Sequence, residues 1–126
     1  MTGEITLSGP QAHDLEHLLE DLCVTYFGRT LPVRASWGKR RRGVHSRSLG
    51  LYYPDRAEIV IAGELNTRRV PRYVIEHLLF HELCHHVQHR SGPPFPHDDA
   101  FRAMEARYRH HVRALRWIAK HICEAA

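Results

Sequence analysis

From Ile75 to Val87 the chain is apolar around most of a helical circumference, and His81-Glu82-Leu83-Cys84-His85 is set into that stretch. A helix this apolar belongs in the centre of a fold, not on its surface. At about 100° per residue, Ile75, Leu79, Leu83 and Val87 define its core side. His81 and His85 stand one turn apart on a neighbouring face, with Glu82 between that face and the core. Two imidazoles so placed reach one metal ion, and Glu82 stands beside them as a general base. This is the H-E-x-x-H arrangement of zinc hydrolases. Buried polar side chains need partners, and a metal satisfies both histidines at once. The chain holds 12 histidines, enough for the pattern to arise by chance, so its surroundings must decide.

Those surroundings read as a single α+β domain over residues 1–126. Ser8 with Gln11 resembles a capping box, Pro10 suits a first turn, and Leu15, Leu18, Leu19, Leu22 and Tyr26 recur at helical spacing up to Gly28. The period then changes. Residues 31–37, 47–53 and 57–62 read as three short strands of a small antiparallel or mixed sheet, with turns at the basic 39–43 stretch and at Pro54-Asp55. Pro71 opens the apolar helix, and Ser91-Gly92-Pro93-Pro94 ends it. After Pro96, the series Phe101, Met104, Tyr108, Val112, Leu115, Ile118 and Ile122 predicts one last helix of six or seven turns. Asp98 and Asp99 lie in its first turn, where carboxylates complement the helix dipole.

Composition narrows the function classes. No apolar run approaches a membrane span, and Met1-Thr2-Gly3-Glu4 lacks the pattern of a signal peptide, so a cytoplasmic protein without a membrane partner is expected. Cys23, Cys84 and Cys123 are widely spaced and make no Cys-x-x-Cys pair, which argues against a disulfide framework or a cysteine zinc ribbon. Cys84 points away from the histidine face and reads as a small core residue. The formal charge of +4 and pI near 9.3 owe much to Lys39, Arg40, Arg41 and Arg42. That cluster is either a solvated hairpin tip or a weak DNA contact.

A hydrolytic zinc site has three protein ligands and an open position, so a third ligand is required. His97 extends the inward stripe of the last helix back by one turn from Phe101. Glu105 is its rival, at a spacing that suits a two-His-one-Glu site; a role holding a ligand histidine suits it equally. His77 and His89 continue the histidine stripe, but four ligands from one straight helix cannot converge, so both read as surface or supporting residues. His86 points elsewhere, and His110-His111 has no evident partner. Tyr108 is a candidate transition-state stabiliser, or a plain core tyrosine.

Val70-Pro71-Arg72-Tyr73, then Phe80-His81-Glu82-Leu83-Cys84-His85-His86, then Pro96-His97-Asp98-Asp99-Ala100-Phe101 resembles the SprT-like zincin metallopeptidases. Trp37-Gly38-Lys39-Arg40-Arg41-Arg42-Gly43 is similar to the basic strand–turn segment that precedes the active-site helix in that group. The likeness covers about residues 30–105. It implies a minimal zincin-like domain: an N-terminal helix, a small three-stranded sheet, the H-E-x-x-H helix and a long C-terminal helix. It also implies one Zn2+ on His81, His85 and His97, with Glu82 catalytic and a peptide or protein as substrate. The chain departs from many relatives in lacking the zinc ribbon. An extended peptide is expected to pair with an exposed sheet edge, most plausibly the 57–62 strand. Deformylases share the motif but take a cysteine ligand from a different segment, and Cys23 does not fit it. A further alternative is a zinc-binding scaffold that holds protein or nucleic acid without cutting.

Overall fold

The computed structural model describes residues 12–39, 49–90 and 97–122. The expected cap at Ser8–Gln11, the run Arg40–Arg42, the helix stop at Ser91–Pro94 and Cys123 lie outside the described residues. Helix α1 spans Leu15–Phe27. Asp14 caps it, its carboxylate accepting from the His17 N–H. Gly28 ends it at φ 77°, a left-handed conformation that glycine adopts without strain. Leu15, Leu18, Leu19, Leu22 and Cys23 bury one face.

Strands β1 (Arg34–Trp37), β2 (Gly50–Tyr53) and β3 (Glu58–Ile61) form a mixed sheet in the order β1-β3-β2. β1 runs parallel to β3, with Arg34 opposite Glu58 and Trp37 opposite Ile61. β2 runs antiparallel to it, with Gly50 opposite Ile61 and Tyr53 opposite Glu58. The expectation of an exposed edge on the 57–62 strand is therefore corrected. That strand is the middle one, paired on both sides, and its Ile59 and Ile61 are fully buried. β1 and β2 are the edges of the described sheet.

Helix α2 (Arg72–Arg90) is the central element and packs against α1, β2, β3 and the helices that follow it. Val74, Ile75, Leu79, Phe80, Leu83 and Cys84 are wholly enclosed, so the apolar circumference in the sequence reports a buried helix, as expected. The end of the chain is organised differently from the single long helix that its apolar rhythm predicts. Helix α3 (Asp99–Glu105) and helix α4 (His111–His121) are separated by a turn over residues 106–110.

Contacts from α1 explain the break. Arg107 Nη2 donates to the Tyr26 carbonyl at 2.7 Å, and the Arg109 N–H donates to the Tyr26 hydroxyl at 3.0 Å. A tight Arg107 N–H to Met104 carbonyl bond closes the turn. The turn also shifts the phase of the helix: Ala114 and Ile118 face the core, while Val112 and Leu115 are left exposed at 58% and 45%. No helix among the described residues is long and apolar enough to cross a membrane.

Candidate metal centre

Helix α2 presents His81, Glu82 and His85 on the wall of an open cavity of about 680 Å³, opposite β2. The third histidine, His97, comes from the residue before the α3 cap. There Asp98 accepts from the Phe101 N–H at 2.8 Å, and Arg102 Nε donates to the His97 carbonyl at 3.1 Å. This local structure turns His97 back onto α2. One ligand atom from each of His81, His85 and His97 lies within 4.8 Å of the other two. His85 Nε2 and His97 Nε2 are 3.1 Å apart. With Zn–N bonds of about 2.0–2.1 Å, two imidazole nitrogens on one tetrahedral ion stand about 3.3 Å apart, so the spacing fits such an ion.

Phe101, almost completely buried, orients all three rings. It stacks against His85 (4.5 Å between centroids, 28° between planes) and His97 (4.7 Å, 27°), and it meets His81 edge-on (5.1 Å, 77°). Sequence reading took Phe101 only as part of a core stripe. Its contact with three ligand candidates depends on how α3 packs on α2.

Hydrogen bonding selects the ligand atom of His81. Its Nδ1–H donates to Glu105 Oε2 at 2.6 Å, which leaves Nε2 for a metal. Of the two roles open to Glu105 at this centre, the geometry matches the supporting one. Burial pulls the His81 pKa down, but the Glu105 bond and the charges of Glu82 and Glu105 together hold it above the ordinary value. Burial likewise opposes ionisation of Glu105, yet its bond to His81 and the nearby His77 and His111 bring its pKa below the usual carboxylate value. His85 is pushed down, first by burial and then by the charge of His81.

Glu82 is 7% exposed. Burial raises its pKa to about 7, helped by repulsion from Glu105 and opposed by attraction to His81. A carboxylate poised near neutrality is suited to exchange protons with a reacting group. Its neighbour across the cavity is β2 at Gly50, where an added Cβ would lie 3.3 Å from Glu82 Oε2 and 3.1 Å from Ile61 Cδ1. The strand approaches the carboxylate this closely because residue 50 has no side chain.

Other residues fall differently from expectation. Tyr108 is not brought to the three histidines: it is buried, and its hydroxyl is directed at the Tyr73 carbonyl (3.0 Å) and Glu76 Oε1 (2.7 Å), as a core tyrosine's would be. His86 is buried, and its Nδ1 is hydrogen-bonded to the Tyr52 hydroxyl at 2.8 Å. His89 lines the cavity next to Tyr52. His77 is 3% exposed rather than on the surface, and it meets Glu105 and His111. Cys84 is a core residue, as expected, and its burial raises the thiol pKa. Lys39 is exposed, and it alone of the basic cluster is among the described residues.

Comparison with known proteins agrees with this geometry. The sequence matches the SprT-like family over residues 15–121. It is 31% identical over 88 residues to a Staphylococcus aureus (strain MRSA252) protein named "Protein SprT-like". That alignment covers 68% of this chain and 53% of the relative, so the chain spans about half the length of the curated protein it matches. No solved structure matches it significantly.

Proposed function

The chain belongs to the SprT-like family, and from that premise we propose that it is a zinc-dependent peptidase, with His81, His85 and His97 holding the ion and Glu82 as general base. The observation that carries the reading is the convergence of three imidazole nitrogens and one buried carboxylate on a single cavity wall. Three nitrogen donors are a set that would suit zinc. A bound zinc ion supplies Lewis acidity, activating water and polarising the scissile carbonyl. Glu82 takes a proton from the attacking water and passes it to the leaving amine, so it returns to its starting state after each turnover. Glu105 keeps His81 in the tautomer that offers Nε2, and Phe101 fixes the planes of the rings.

The substrate is an extended peptide laid along β2, because β2 is an edge of the described sheet and also lines the cavity through Gly50, Leu51 and Tyr52. Its backbone passes over Gly50, where Glu82 meets the strand.

Zinc content and cleavage of an unstructured protein substrate, compared between wild type and Glu82→Gln, test the proposal. The variant should keep its zinc and lose about 10²-fold or more in rate. Cleavage at the wild-type rate would remove Glu82 from the chemistry and overturn the mechanism.

A further inference from the structure

A second cluster of ligand-type side chains adjoins the first, and two of its members, His77 and Glu105, line the same cavity. His77 projects from α2 one turn before His81, Glu105 is the last residue of α3, and His111 is the first residue of α4. The turn over residues 106–110 folds the two helix ends toward His77. One ligand atom from each of the three residues lies within 4.8 Å of the others, and the His77 and His111 rings are 5.4 Å apart.

Burial and missing hydrogen bonds mark this cluster, the second feature being shared with His86 Nε2 and His89 Nδ1. His77 is 97% buried by its 3% exposure, and its Nδ1 has no hydrogen-bond partner; the buried Nδ1 of His111 has none either. An unsatisfied polar atom in a protein interior costs about 1–3 kcal/mol, and here two belong to rings that cluster with a carboxylate. Neither Nδ1 takes part in a hydrogen-bond relay to Glu105. The strong bond of Glu105 goes to His81 instead. A cation satisfies all three groups at once. Two neutral imidazoles and one carboxylate carry a single negative charge, which a dication more than balances, and this donor set suits zinc and neighbouring transition metals better than calcium or magnesium.

We propose that His77, Glu105 and His111 form a second site for a divalent transition-metal ion, joined to the His81–His85–His97 site through the carboxylate of Glu105. The ion draws on the same carboxylate that supports His81. Filling the second site therefore weakens the hold of Glu105 on His81, and the two sites load in unequal steps.

Zinc titration of the metal-stripped protein by calorimetry, with elemental analysis after desalting, tests this. Wild type should take up two equivalents in unequal steps, and His111→Gln, on the half-buried member of the cluster, should take up one. His97→Ala should also take up one, and the double variant none, with circular dichroism confirming that each is folded. A single equivalent in wild type that His111→Gln retains and His97→Ala loses would overturn the second site while leaving the proposed function standing. Loss of one equivalent in His111→Gln supports the second site, whatever becomes of the first. If His111→Gln does not fold, the wild-type stoichiometry decides by itself.

Discussion

His81 Nδ1 stands 2.6 Å from Glu105 Oε2, which joins α2 to the last residue of α3. A carboxylate on the far nitrogen fixes the imidazole tautomer and raises its basicity as a ligand. Glu105→Gln keeps the shape and removes the charge. Zinc affinity at the His81–His85–His97 site should fall about 10- to 100-fold, measured by competition with a chelator of known strength. Wild-type affinity in a folded variant would mean that the bond does not support the ligand.

Gly50 and Glu82 give a steric prediction. A Cβ on residue 50 would press on Glu82 Oε2 and Ile61 Cδ1. Gly50→Ala should displace the carboxylate and lower the rate of the proposed peptidase reaction about tenfold or more without loss of metal affinity. Overpacking should reduce stability by about 1–3 kcal/mol. Turnover and urea midpoints check both effects, and an unchanged rate would show that the strand or the carboxylate yields freely.

Burial of Glu82 makes stability depend on pH in a defined direction. Its pKa rises from 4.5 to about 7 on folding. Between those values the folded state binds more protons than the unfolded chain, so this residue's contribution is most favourable below pH 4.5 and declines as pH rises to about 7. In metal-stripped protein, Glu82→Gln should match wild type near pH 4.5 and exceed it at pH 8 by on the order of 2–3 kcal/mol. Denaturant titrations at several pH values measure the gap. A gap that does not widen with pH would mean that Glu82 is better solvated than its burial implies.

Much of the candidate metal centre was legible because its information is local. The spacing of His81 and His85 on an apolar helix is a property of 3.6-residue periodicity, and the position of His97 ahead of Phe101 is a matter of one helical turn. The order of the strands was not legible. The alternation that buries Ile59 and Ile61 is the same for an edge strand as for a middle one, and the pairing of Arg34 with Glu58 is decided across a long stretch of chain. The break between α3 and α4 was hidden for a similar reason. Phe101, Met104 and Tyr108 keep their rhythm into the turn, and the turn is held by Tyr26 from the other end of the chain. Nothing in the sequence marks that break, so His77 reads as a surface or supporting residue and His111 as one with no evident partner.

Phe101 is wedged among three imidazoles and is itself sealed in the core, so the rings are gathered by the same packing that holds the helices together. The loss of side-chain freedom needed to assemble the donors therefore falls on folding rather than on capture of the ion. A candidate centre preorganised in this way would take up a metal without first having to collect its ligands, and would keep its shape without one.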